Sequence, residues 1–78
     1  MKASAALITG RRRQALILAA RGCSDTEIAK QMFVHLDTAK LDLRQARMAL
    51  GASDRTSAVA LAILEGVITG EDVLGGES

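Results

Sequence analysis

The chain has no proline, tryptophan or tyrosine, and its one aromatic residue is Phe33. Without aromatics or an alternating β-branched run, a core must come from Leu, Ile, Val, Met and alanine. That composition suits close-packed helices rather than strands. Cysteine is nearly absent too: Cys23 stands alone, so no intramolecular disulfide can form. With His35 the only histidine, no zinc site of the usual Cys/His kind can be built. Cys23 reads as a small residue following a helix end. No apolar run reaches the roughly 18 residues of a membrane helix, and the first residues lack the charged-then-apolar order of a secretion signal. These absences predict a cytoplasmic protein that uses no metal or cofactor and contacts no membrane. Enzyme chemistry is not expected either: His35 has no partner nucleophile, and no glycine-rich loop follows a strand.

The chain offers 78 residues, enough for one domain near the lower limit at which a single core folds unaided. Hydrophobic residues at 49% against 24% charged mark it as globular rather than disordered. The net charge of +1 argues nothing alone, but its distribution is uneven. All ten Lys and Arg lie in residues 1–55, against Asp25, Glu27, Asp37, Asp42 and Asp54, a balance of +5. Residues 56–78 carry Glu65, Glu71, Asp72 and Glu77 and no base, a balance of −4. Such a chain can turn a basic face to an anion while its acidic end stays away.

Periodicity and capping residues predict an all-α fold of four helices, over about 9–21, 25–32, 37–50 and 55–66. An N-terminal arm covers 1–8, the helical domain 9–68, and a flexible acidic tail 69–78. Thr9 is placed to cap the first helix, whose Ala15, Leu16, Ala19 and Ala20 share a face, and Gly22 to end it. Ile17 falls on the opposite, outward face. Ser24 and Glu27 have the spacing of a capping box, and Ile28, Ala29 and Met32 form the inward stripe of the second helix. Phe33 to Leu36 make a turn with Val34 as its apolar plug. In the third helix Ala39, Leu43, Ala46 and Leu50 recur at i, i+4, i+7 and i+11, a core stripe ended by Gly51. Asp54 caps the fourth helix, which is apolar at every position from Ala58 to Leu64. A helix greasy all round needs cover on more than one side, so Ala58, Leu61, Ala62 and Ile63 are expected to meet a second copy of the chain.

This order of residues resembles the LuxR-type (FixJ/NarL-like) helix-turn-helix DNA-binding domain over residues 8–68. The opening Ile8-Thr9-Gly10-Arg11-Arg12 is similar to that family's start. The stretch Ala20-Arg21-Gly22-Cys23-Ser24-Asp25-Thr26-Glu27-Ile28-Ala29 matches its middle motif, the most specific part. Thr38-Ala39-Lys40 resembles the start of the recognition helix. Leu50-Gly51-Ala52, then Arg55, Ala58 and Val59, and then Gly66-Val67-Ile68 resemble its end. The resemblance implies that the third helix enters the major groove of double-stranded DNA, and that the fourth pairs across a homodimer. It places Lys40, Leu41 and Arg44 on the bases. The chemistry suits them: Arg44 can bond guanine O6 and N7 together, Lys40 can do so less selectively, and Leu41 can touch a thymine methyl. Arg11, Arg12, Thr38 and Arg47 are expected at phosphates, helped by backbone N–H groups at the helix starts of Thr9 and Ser24. The chain departs from the family at Arg12, where a glutamate is usual, at His35 in place of a serine cap, and at Asp42 and Ala49, which lack the usual donors.

The expected function is thus a small stand-alone transcription regulator that binds DNA as a dimer. The alternative is a protein-interaction module of the same fold, binding RNA polymerase or another transcription factor. Ile17, Asp42 and the greasy fourth helix favour it. A third reading, similarity to region 4 of sigma factors, rests on Arg44-Gln45-Ala46-Arg47 and Leu50. The Gly66-Val67-Ile68 ending and the fourth helix speak against that one.

Overall fold

The computed structural model describes residues 8–75. Five helices follow in order: α1 Gly10–Ala20, α2 Asp25–Met32, α3 Leu36–Leu50, α4 Arg55–Leu64 and α5 Gly70–Leu74. The all-α expectation holds, with one helix more than the four expected. The expected arm lies outside the described residues except for Ile8, which is buried.

Helix α1 is the central strut and packs against all four others. Its start is at the expected place, but the Thr9 side chain makes no capping hydrogen bond. Its end is a Schellman turn. Gly22 adopts φ +91°, while the N–H groups of Gly22 and Cys23 donate to Ala19 and Leu18 carbonyls, both at 3.0 Å. Leu16 and Ile17 enter one apolar cluster with Ile8, Ala46, Leu50, Ala58, Ala62 and Ile68. Ala15 and Leu18 enter a second with Ile28, Ala29 and Ala39. Ile17 is therefore buried, not outward-facing, because α4 and α5 cover the side of α1 that α2 and α3 leave open. Alanines with no exposed surface at positions 15, 39, 46 and 62 let these short helices approach closely.

The box that starts α2 is present. Glu27 N–H donates to Ser24 Oγ at 3.2 Å, and Ser24 N–H donates to Glu27 Oε1 at 2.8 Å. The helix ends on Phe33 at φ +57°, a left-handed conformation that costs a non-glycine residue roughly 1–2 kcal/mol. That reversal lets Val34 N–H reach the Ala29 carbonyl at 3.0 Å, packs Val34 against the second cluster, and turns Phe33 out to 94% exposure. Helix α3 then starts after His35, which supplies no side-chain cap, and Asp37 sits in its first turn. Ala39, Ala46 and Leu50 are buried and Leu43 half-buried, as the stripe predicts. Gly51 closes the helix at φ +72°, and the Asp54 carboxylate starts α4 by accepting from Ser57 N–H at 2.8 Å.

The acidic segment differs from its expectation as a flexible tail. Thr69 and Asp72 form a second capping box, with Asp72 N–H donating to Thr69 Oγ1 at 3.1 Å and Thr69 N–H to Asp72 Oδ2 at 2.9 Å. Arg13 fastens the resulting α5 to α1, donating from Nε to the Val67 carbonyl at 2.9 Å and from Nη2 to Asp72 Oδ2 at 2.8 Å. Arg21 Nε adds a bond to the Asp72 carbonyl at 3.0 Å. Residues 76–78 of the expected tail lie outside the described residues.

Candidate nucleic-acid interface

The core stripe of α3 fixes which of its side chains face out. With Ala39 and Ala46 at the bottom, residues about 100° apart along the helix leave Asp37, Leu41, Arg44 and Met48 on the crest. All four are exposed. Lys40 stands beside them on one flank, also exposed. Lys40, Leu41 and Arg44, the expected base readers, are thus brought together on one outward surface.

The other basic residues are differently employed. Arg11 meets Asp42 on the flank of α3 nearest α1, with Nε 3.0 Å from Oδ2 and Nη2 donating to Oδ1 at 3.4 Å. The shorter contact lacks hydrogen-bond direction and is an ion pair, which leaves Oδ2 without a bonded N–H. Arg12 Nη2 donates to Gln45 Oε1 one turn along the same flank. Half-buried Thr38 lies one turn before Asp42 on that side. Asp42 is therefore not on the crest: it is buried and turned to α1, which removes a carboxylate from the reading surface. Arg47, expected at a phosphate, is half-buried and donates from Nη1 to the Ala52 carbonyl at 3.3 Å.

Arg55, which had no expected contact of its own, ties α4 to the start of α2. Its Nη1 donates to Asp25 Oδ1 at 2.6 Å and its Nη2 to the Cys23 carbonyl at 2.7 Å. Its partners lie 30 and 32 positions away in the chain, so no local pattern signals the contact. Among the described residues, Arg44 is the one arginine with no internal partner, and Lys30 and Lys40 are likewise unpaired. The Ser24 helix start, expected to offer N–H groups to a phosphate, has its Ser24 and Glu27 amides satisfied by the box. Carboxylates of Asp25 and Glu27 stand beside it, which disfavours an anion there.

Of the four residues expected at a dimer contact, Ala58 and Ala62 lie inside the chain's own core, and Leu61 packs against it. Ile63 stays exposed, and Leu64 beside it is 80% exposed. Ala60 completes the outward side of α4. Helix α4 packs against both α1 and α3, which uses up its small-residue face. No family model, characterised protein or solved structure matches the chain.

Proposed function

We propose that the chain is a small DNA-binding regulator of transcription of the LuxR type, cytoplasmic, reading the major groove with α3. The observation that carries this reading is the free state of Arg44 on the exposed crest and of Lys40 on its flank, while every other described arginine is held internally. An unpaired guanidinium on an outward helix face keeps the planar fork that guanine O6 and N7 accept. Leu41 beside it suits a thymine methyl, and Gln45, although bonded to Arg12, stands next to the crest. Pairing of two copies through Ile63, Leu64 and Ala60 of α4 would set half-sites about 10 base pairs apart. Selection from a random duplex pool, followed by affinity measured across a salt series, tests the reading. A selected sequence bound with a clear negative salt slope is expected; no salt-dependent binding to any duplex would exclude it.

A second reading is favoured by a specific observation. Phe33, Leu36, Leu41 and Met48 are all exposed around the same helix, more apolar surface than a DNA-facing helix requires. In that reading the same crest docks on RNA polymerase or another transcription factor, with little DNA binding. Retained pull-down of a polymerase subunit by a Lys40→Gln/Arg44→Gln variant, and its loss in Phe33→Ser, is the expected result there.

A further inference from the structure

The flank of α3 opposite the Arg11–Asp42 pair carries a cleft of about 180 Å³ between α3, the start of α4 and the start of α2. Lys40, Arg44, Arg47 and Arg55 surround it, over an apolar floor that includes Leu43. Among the described residues that line it, Asp25 is the one carboxylate, and it is already paired with Arg55 at 2.6 Å. We infer that this cleft is a binding site for a compact phosphate-bearing small molecule, which closes on it with the same Lys40 and Arg44 that face outward for DNA.

Four cations against one carboxylate in the lining leave the cleft wall with a surplus of positive charge, even with Asp54 close enough to act on Arg47, and a concave wall of one sign concentrates the field on an entering anion. Two of the cations are already held in place. Arg47 uses one N–H on the Ala52 carbonyl, and Arg55 uses two on Asp25 and Cys23, so each keeps further donors of its five. Lys40 and Arg44, exposed and unpaired, form the movable side. Forked guanidinium donors on more than one side of a cleft suit the several oxygens of a phosphate better than a single carboxylate. Size narrows the ligand further. Drug-sized ligands occupy pockets of roughly 300–1,000 Å³, so this smaller space takes one or two phosphate groups with little attached. Lys40 and Arg44 line the cleft as well as the outward surface, so a ligand that engages them there competes with DNA; only that consequence rests on the DNA-binding reading.

The test is a titration of the intact protein with sodium pyrophosphate, and separately with inorganic phosphate, against sodium chloride at matched ionic strength. It is followed by nuclear magnetic resonance of amides and guanidinium groups. Saturable shifts at Lys40, Arg44, Arg47 and Arg55 are expected, with affinity at least tenfold weaker in Lys40→Gln/Arg44→Gln and unchanged in Lys30→Gln. Both altered positions are exposed and unpaired, so these variants fold, and the undisturbed resonances of the core verify it. Shifts that do not saturate, that spread equally to Lys30 and Arg21, or that survive in the double variant would overturn the site. A parallel arm adds pyrophosphate to the protein bound to its selected duplex. Release at matched ionic strength supports competition, and unchanged duplex affinity at saturating pyrophosphate overturns it. Pyrophosphate binding without any duplex binding would leave the cleft standing and remove the DNA reading; duplex binding without pyrophosphate binding would do the reverse.

Discussion

The Asp42 carboxylate is buried to 3% of its side-chain surface, and Arg11 reaches it from α1 with Nε 3.0 Å from Oδ2. The pair lies on the flank of α3 that faces α1, consistent with the rotation that the buried stripe of Ala39, Ala46 and Leu50 already gives the helix. Removing Arg11 alone leaves a buried carboxylate without its counter-charge. Because the Arg11 side chain is 61% exposed, water moderates the loss, and Arg11→Ala is expected to cost about 1–3 kcal/mol rather than the larger figure of a fully buried pair. Asp42→Asn in the Arg11→Ala background should recover part of it. Urea unfolding of the four-member cycle measures this, and strict additivity would show that the two side chains do not interact.

Ile17 packs into the main cluster with Leu16, Leu50 and Ile68. Ile17→Ala is expected to destabilise by about 2–4 kcal/mol through lost burial and the cavity left behind. In a domain this small that is a large part of the total. Ile63→Ala, on the exposed side of α4, should stay within about 0.5 kcal/mol. Equal thermal stability of the two variants would contradict the placement of Ile17.

Two carboxylates tie stability to acid pH. Asp54 is held below the ordinary aspartate value of 3.8 chiefly by the Ser57 N–H, and Asp72 chiefly by the Thr69 N–H. A carboxyl whose folded pKa is lowered contributes stability that is complete above its unfolded value and is lost as pH falls through the folded one. The urea midpoint should therefore drop below about pH 4, and less steeply in Asp54→Asn and Asp72→Asn, whose amide oxygens still accept the capping N–H. Parallel acid limbs in parent and variants would show that neither cap titrates with folding.

If α4 pairs two copies, the contact is made by Ala60, Ile63 and Leu64, since Ala58 and Ala62 are inside the core. Leu64→Glu should then convert a dimer to a monomer in sedimentation equilibrium without loss of helix content. A monomeric parent would contradict pairing by this face.

Much of the fold was legible because its signals are local. Ser24 and Glu27 announce a capping box by spacing alone, and Gly22 and Gly51 mark helix ends through a conformation few other residues adopt. The same spacing recurs in Thr69 and Asp72, where a short glycine-flanked segment read as a tail; the box was written there in the same form. Ile17 departs from its outward expectation for another reason. A helical wheel shows which residues share a face but not how many faces a neighbour covers, and α1 is covered on nearly all sides. Likewise the employment of Arg11, Arg12, Arg47 and Arg55 depends on residues 5 to 33 positions away, which no local pattern reports. The crest was accessible to sequence because the α3 stripe is regular.

If Arg44 reads a base from the crest of α3, its removal must act on one base pair and not on all. Affinity for the selected duplex, and for the full set of single-base changes in it, is measured for the parent and for Arg44→Ala. A loss of about 1–3 kcal/mol is expected, with preference relaxed at a single base pair and kept elsewhere. A uniform loss across all sequences, or no loss, would contradict it.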